Sequence, residues 1–127
     1  MANDVLSLAL NKNIGIVNRS VFLKGSLTNL DSYLPRELEP LQINSLKARK
    51  ISEELGCELP ELALRFTLSE PAISTSLIGT NKTQNLRKSC RAIEAGSFSD
   101  NVIAELRKLS IDDPMQVDPS KWPTITG

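Results

Sequence analysis

Two segments of the chain contain residue types that suit an anionic ligand. Residues 79–82 read Gly-Thr-Asn-Lys, and they lie between a β-branched run and a helical pattern. Backbone N–H groups at the start of a helix have no intrahelical acceptor and attract anions. Residues 20–25 end in Lys24-Gly25, and backbone N–H groups together with a lysine suit a phosphate. A glycine-threonine pair after a strand is common in α/β folds, so residues 79–82 identify no ligand by themselves.

Other common chemistries have few residues to support them. The 127 residues include no histidine, which removes the commonest general base and zinc ligand and any Ser-His or Cys-His pair. Cys57 and Cys90 are far apart in sequence and are interpreted as two small buried or half-buried thiols, with neither a disulfide nor a metal site expected. The single tyrosine, Tyr33, is interpreted as a packing residue in a loop.

The composition predicts one soluble globular domain. The chain is 40% hydrophobic and 24% charged, and Lys plus Arg (15) equals Asp plus Glu (15). A formal net charge of zero gives no electrostatic reason to expect nucleic acid or an anionic membrane as a partner. No apolar run is long enough for a membrane span, and the first residues lack the basic start of a signal peptide, so a cytoplasmic location is expected.

Short β-branched runs alternate with helical patterns along the chain. Strands are predicted at residues 14–17 and 73–79, which favours βαβ units and a parallel sheet. Residues 20–40 are predicted to form a long loop containing a helical turn at 36–38. The apolar spacing predicts five helices, near residues 4–10, 43–55, 60–69, 82–95 and 99–109.

The same spacing predicts which helix faces are buried. The helix at 60–69 is apolar nearly all round and is expected to lie in the core. Prolines 114, 119 and 123 are expected to hold an extended tail, with Trp122 as a cap over neighbouring structure. The residues expected to face inward in the other helices are Ile43, Leu46, Ile51 and Leu55, then Leu86, Cys90 and Ile93, then Val102, Ile103, Leu106 and Leu109.

Two parallel strands do not make a closed core. Their outer edges and apolar faces stay open, and a complete (β/α)₈ barrel needs about 250 residues. The pattern is therefore typical of a piece of a larger α/β domain.

Four segments, in order, resemble the last third of the aldo-keto reductase family. GIVNRSVFLKGSL (residues 15–27) resembles the seventh barrel strand and its loop, in the form of a branch that has RSVFLQG here. ELALRFTLSEPAIS (61–74) resembles the helix before the eighth strand, and SLIGTNKTQNLRKS (76–89) that strand and the cofactor-phosphate loop. The ending DP…DPSKWP (113–123) resembles the family's tail. The resemblance implies an α/β fold: the last two parallel strands of a (β/α)₈ barrel with their helices and a C-terminal extension, residues 1–127 forming one such portion.

The resemblance also implies a cofactor site for NADPH or NADH, which the family uses to reduce carbonyls by hydride transfer. It matches Ser20, Phe22, Leu23, Lys24 and Gly25 to the segment around the cofactor pyrophosphate. The other matched positions are Arg19, Gly79, Thr80, Asn81, Lys82 and Asn85.

Four positions in these segments depart from the usual family residues. Arg19 replaces an aromatic that stacks on the nicotinamide; a guanidinium can also lie flat on a ring, or Arg19 can pair with a buried carboxylate. Asn85 stands where the family often has an arginine for the 2′-phosphate, and Lys88-Ser89 where it has Glu-Asn for the adenine. Lys82 or Arg87 is the candidate substitute, and binding of NADP (or NAD) by the isolated chain is expected to be weak or absent.

The family's catalytic Asp, Tyr, Lys and His come from earlier strands, so no catalytic or metal-binding residue is assigned here and the isolated chain is predicted to be inactive. The first hypothesis is a truncated reductase segment that needs the N-terminal barrel half as partner. The alternative is a non-catalytic interaction or scaffold module that self-associates. A third hypothesis is cofactor binding without catalysis, visible as thermal stabilisation by NADPH.

Overall fold

The computed structural model describes residues 2–28 and 34–123, so Tyr33 and the loop around it lie outside the described residues. The two strands are β1 (Ile16–Asn18) and β2 (Ile73–Ser76). Short 3₁₀ turns occupy Leu23–Gly25, Arg36–Leu38 and Pro119–Lys121. The helices are α1 (Ala2–Asn11), α2 (Glu39–Glu54), α3 (Leu59–Leu68), α4 (Thr83–Ala95), α5 (Asp100–Arg107) and α6 (Pro114–Val117). The alternation of strands and helices and the turn at 36–38 confirm the predicted order.

The two strands pair in parallel, as the alternation predicts. Val17 lies opposite Thr75 and Asn18 opposite Ser76, while Ile16 lies opposite Ile73, so the register shifts between Ile16 and Val17. At the shift the Ile16 amide donates to Ser74 Oγ at 3.1 Å, which replaces a main-chain acceptor. Within the described residues this two-stranded sheet is not closed, which confirms a partial barrel with both outer edges unpaired.

The core is built around α3. Leu59, Leu62, Ala63 and Leu64 are all buried, so the prediction that this helix lies inside is confirmed. Residues on different sides of α3 belong to two separate apolar clusters, one with α4 and the loop after β1, the other with α2 and α5. Because α3 is apolar nearly all round, it contacts the helices on both sides.

The predicted inner face of α2 is wrong. Ile43, Leu46 and Leu55 are exposed, and Ile51 is only half-buried. The buried stripe is formed by Leu41, Ser45, Ala48 and Ser52, spaced four, three and four residues apart. Small residues let the backbones of two helices approach closely, and both serine hydroxyls have acceptors. Ser52 Oγ donates to the Arg49 carbonyl oxygen at 2.7 Å, and Ser45 Oγ donates to the Ser26 carbonyl oxygen in the segment after β1. The spacing of the large apolar residues therefore indicated the face of α2 that is exposed to solvent.

The predicted inner face of α4 is also wrong. Leu86, Cys90 and Ile93 are exposed, and the helix packs on α3 through Ala92, which is 1% exposed. The three exposed side chains follow the four- and three-residue spacing of one helix face, here named the α4 stripe. No described residue covers this stripe.

The extended tail is replaced by two short helical segments. Pro114 and Pro119 each occupy a first helical position, where the missing N–H costs nothing. The preceding aspartates supply the caps: Asp113 accepts from the Met115 amide at 2.9 Å and Asp118 from the Ser120 amide at 3.0 Å. Each Asp-Pro pair thus starts a turn of helix, which explains why the extended tail predicted from the prolines is wrong.

The remaining helix predictions agree more closely with the structure. Ser99 precedes α5 with an extended backbone, although its side chain makes no capping bond. Leu106 is buried, and Val102 and Leu109 pack against the same cluster, while Ile103 is half-buried. None of the helices over residues 2–28 and 34–123 is both long enough and apolar enough to cross a membrane.

Candidate functional site

A groove of about 860 Å³ opens where the chain leaves β1 and β2. The carboxyl ends of parallel strands meet at one edge of a sheet, so the segments that follow them are neighbours. Phe22 and Thr28 from the segment after β1 line the groove, as do Ile78 and Gly79 from the segment after β2. Its size lies in the range of small-molecule and cofactor sites.

One apolar cluster fixes the two segments relative to each other. Val21 is buried against Ala63, Leu64 and Ala92, and Phe22 and Ile78 pack on the same cluster among others. The groove wall is therefore attached to α3 and α4 rather than being held by the loops alone.

Five of the eleven residues that the resemblance matches to the cofactor site line the groove. They are Phe22, Gly79, Thr80, Lys82 and Asn85, so the groove brings together residues up to 63 positions apart in sequence. The groove lining does not include the other six: Arg19, Ser20, Leu23, Lys24, Gly25 and Asn81.

The start of α4 supplies the anion-attracting end of the groove. The Lys82 amide donates to Thr80 Oγ1 at 3.1 Å, which closes a tight turn immediately before the helix. The 13-residue helix then begins at Thr83, with no side-chain cap from Lys82. The first amides of a helix lack intrahelical acceptors and carry partial positive charge, so this end favours a phosphate.

Basic and acidic side chains line the groove in equal numbers. The cations are Lys82, Lys88 and Arg91. Two of the three carboxylates are held in ion pairs: Glu58 with Lys88 at 3.0 Å, and Glu61 with Arg65 at 3.0 Å. The third carboxylate is that of Glu53. A negative ligand is therefore favoured near Lys82 and Arg91, away from the paired carboxylates.

A half-buried thiol also lines the groove. Burial raises the pKa of Cys57, the nearby Glu61 carboxylate raises it further, and Arg65 partly opposes both effects. A raised pKa keeps the sulfur protonated at neutral pH and lowers its nucleophilicity. Cys90 is exposed on the α4 stripe and lies outside the groove lining, so the prediction of a buried or half-buried thiol holds for Cys57 and is wrong for Cys90. Both cysteines are free thiols.

The segment after β1 has an unusual backbone. Leu23, Lys24 and Gly25 have φ values of 42°, 51° and 94°, and Ser20 has 60°. Non-glycine residues held in this region cost about 1–3 kcal/mol each and persist only where surrounding contacts enforce them. Such strain is concentrated at functional sites, and here it lies directly beside Phe22 of the groove.

Lys24 contacts the C-terminal segment instead of the groove. Its Nζ donates to the Pro119 carbonyl oxygen at 3.2 Å and lies 5.9 Å from the centre of the Trp122 ring. Arg19 is exposed, and its charge helps to lower the pKa of Asp118, although the Ser120 side-chain and main-chain hydrogen bonds contribute more. The carboxylate near Arg19 is thus a surface group and not the buried carboxylate considered from the sequence.

Several groove residues were not predicted from the sequence. Lys88, Ser89 and Ala92 follow Asn85 by three, four and seven residues, so these four lie on one face of α4, and Arg91 lies beside that face. The three- and four-residue spacing from Asn85 is a signal that could have identified Lys88 and Ser89. Cys57 and Glu58, by contrast, come from the turn between α2 and α3, and nothing in the local sequence links that turn to the loops after the strands. Over the described ranges, no group of three or more Cys, Asp or Glu residues is arranged to hold a metal ion.

Two known proteins are similar to this chain, one in sequence and one in fold. A protein from Schizosaccharomyces pombe that is named as a voltage-gated potassium channel beta subunit is 29% identical over 98 residues. These residues cover 76% of this chain and 27% of that protein. A glycerol dehydrogenase from Gluconobacter oxydans has a solved structure that matches with a TM-score of 0.69 at 18% identity, over 98% of this chain and 42% of that one. The chain thus spans about a quarter of the length of the first protein and less than half of the second.

The family assignment rests on the sequence match along most of the chain. The profile of the aldo/keto reductase family matches residues 1–111, which include β1, β2 and every residue that lines the groove. The chain therefore belongs to the aldo/keto reductase family.

Proposed function

We propose that this chain forms the cofactor-phosphate side of an NAD(P)H-dependent carbonyl reductase. The observation that carries the proposal is the groove, which Phe22 lines together with Gly79, Thr80 and Lys82. When bound, the cofactor supplies a hydride to the carbonyl carbon of an aldehyde or ketone. The chain's own residues bind and orient; no catalytic residue is assigned to it.

The described residues suit the phosphate end of such a cofactor. The Lys82 ammonium and the positive end of the α4 dipole would favour a phosphate, with Arg91 as a second cation on the same helix. Lys82 and Arg91 would take the place of the arginine that the family often has at position 85, whereas Arg87 is not part of the groove lining. Phe22 would contribute apolar surface to the groove.

The nicotinamide end is less complete in this chain. Arg19, which the resemblance matches to the stacking residue, is exposed and lies outside the groove lining. Binding energy from this chain alone comes from the phosphate end, so we expect weak affinity for NADPH and little preference for its reduced ring.

The two cysteines allow a direct test of groove occupancy. With a thiol alkylating reagent at neutral pH, we expect Cys57 to react several-fold more slowly than the exposed Cys90, because its pKa is raised. Millimolar NADPH should slow Cys57 further and leave Cys90 unchanged, since only Cys57 lines the groove. Mass spectrometry of the two tryptic peptides gives both rates from one sample.

A pair of lysine variants controls for non-specific effects. Lys82→Ala should weaken NADPH protection by about tenfold or more, the effect of losing a charge-assisted hydrogen bond to phosphate. Lys12→Ala removes an equal charge from an exposed position just after α1 and should leave protection intact. Equal protection of Cys57 and Cys90, or protection insensitive to Lys82, would refute the proposal.

The α4 stripe supports a second candidate function, association with another polypeptide. Leu86 and Ile93 are 50% and 57% exposed, and on α1 Val5 and Leu8 are 55% and 58% exposed. Grouped apolar side chains of this kind mark interaction surfaces in folded proteins. We propose that they pack against further βα units of a barrel, and that self-association replaces this contact when those units are absent.

Charges placed on the stripe test the association. We expect Leu86→Lys with Ile93→Lys to shift the chain from a larger species toward the 14.0 kDa monomer, because two buried ammonium groups cannot be solvated in an apolar contact. Size-exclusion chromatography with light scattering measures the mass. The matched control, Lys47→Met with Lys50→Met on the exposed face of α2, should leave the mass unchanged. If the wild-type chain is monomeric even at high protein concentration, the proposal that it self-associates is wrong.

A further inference from the structure

The left-handed turn at Leu23–Gly25 is held from outside by the C-terminal segment. Lys24 donates to the Pro119 carbonyl oxygen at 3.2 Å and lies over the Trp122 ring. Leu23 packs, with Trp122, on the buried cluster of Leu34, Leu38 and Leu41. Lys24 is therefore in direct contact with a segment about 95 residues later in the chain, and Leu23 packs on the same buried cluster as Trp122 of that segment.

The C-terminal segment is itself anchored by one buried side chain. Gln116 is 5% exposed, and its amide group bonds at both ends: Nε2 donates to the Glu37 carbonyl oxygen at 2.8 Å, and Oε1 accepts from the Leu41 amide at 3.2 Å. The main-chain oxygen of Gln116 accepts from Trp122 Nε1 at 3.1 Å. This arrangement fixes the segment to the start of α2 and fixes the indole to the segment.

The turn has the groove on one side and the tail on the other. Phe22 directly precedes the turn and lines the groove, and Thr28 follows it and lines the groove as well. Within the turn, the Gly25 and Leu27 amides both donate to the Phe22 carbonyl oxygen, at 2.9 and 3.2 Å. A change in the conformation of Leu23 or Lys24 would therefore displace Phe22.

We propose that residues 113–122 form a strap that keeps the Leu23–Gly25 turn left-handed and so positions Phe22 at the groove wall. In this arrangement Lys24 and Trp122 are positioning residues for the turn, and Gln116 fixes the strap that carries Trp122. The consequence for a dinucleotide rests on the function proposed above. Linkage requires that a ligand which needs Phe22 in this position also stabilises the strap.

Amide hydrogen exchange tests the strap without any ligand. We expect Lys24→Met, which keeps the length of the side chain but loses its charge, to speed exchange at residues 25–28 by about fivefold or more, the lower end of typical coupling between sites. Trp122→Phe, which keeps a ring but loses the Nε1 donor, should do the same to a smaller extent. Exchange in α3 should not change, since a local opening leaves the core intact. Lys47→Met, at an exposed position of α2, is the matched control.

The outcomes separate the strap from the cofactor proposal. Unchanged exchange at residues 25–28 in both variants overturns the strap, as does equally faster exchange in α3, which would indicate global destabilisation. If exchange rises only in the turn, the strap holds whether or not NADPH protects Cys57 in the wild-type chain. Where NADPH does protect Cys57, Lys24→Met should reduce that protection and Lys47→Met should not.

Discussion

Purified by itself, the 127-residue chain is expected to reduce no aldehyde or ketone above background with NADPH or NADH. The chain has no histidine, and its one tyrosine, Tyr33, matches no catalytic position of the family. Without an acid beside the carbonyl oxygen, the hydride acceptor is not activated. Enzymes typically accelerate their reactions by at least about 10⁶-fold, so the expected loss relative to an intact family member is of that order. Loss of NADPH absorbance with a reactive aldehyde is a sufficient assay.

A tyrosine variant separates true activity from a contaminating reductase. Tyr33→Phe should leave any residual rate unchanged, because the residue has no catalytic role. Turnover that co-purifies with the chain and disappears in Tyr33→Phe would show that the chain is a catalyst and would overturn the proposal. Addition of a polypeptide with the remaining βα units should restore activity, if the apolar faces of α1 and α4 pack as proposed.

Leu59→Ala should destabilise the folded chain by about 2–5 kcal/mol, the range for removing a fully buried leucine from a core. Leu59 is 1% exposed and packs with Ala48, Leu62 and Leu106, so its loss leaves a cavity where α2, α3 and α5 meet. Since small domains have only about 5–15 kcal/mol of stability in total, the variant should unfold at much lower denaturant concentration. Urea unfolding followed by far-UV circular dichroism measures the change.

Leu86→Ala is the matched control for this measurement. It removes the same atoms from a side chain that is 50% exposed, so the change should be within about 0.5 kcal/mol. The expectation for Leu86→Ala applies at protein concentrations where the chain is monomeric; under conditions where the chain self-associates, a loss at Leu86 as large as that at Leu59 would mean that the α4 stripe is covered by another chain. A small loss at Leu59 would show that the packing around α3 is not as described.

The order of elements and part of the groove lining could be predicted from the sequence. The β-branched runs at 14–17 and 73–79 predicted two parallel strands, and parallel strands place the segments that follow them side by side. The family resemblance matched Phe22 and Gly79, from separate motifs, to one cofactor site, and both residues line one groove. Lys24 was predicted to bind the cofactor, but it contacts Pro119 instead. The local sequence around a lysine does not indicate which distant residue its ammonium group contacts.

Helix faces were the least predictable feature. Ile43 and Leu46 in α2, and Leu86 and Ile93 in α4, follow an apolar spacing, yet all four are exposed. Spacing shows that a helix has two unlike faces, but the face that is buried depends on which neighbour is present and how closely it approaches. In α2 the serines and Ala48 are buried because they allow close contact with α3.

By itself, the sequence determined the family, the parallel pairing of two strands and the presence of glycine-containing segments after both, because each of these follows from local residue types and their spacing. The tertiary structure decided which side chains share the groove and that Cys57 and Arg91 join it. It also decided that the C-terminal segment holds the turn at Leu23–Gly25. These features depend on contacts between residues up to 95 positions apart, and such contacts are set by the packing of α3 and the strands, which no local pattern records.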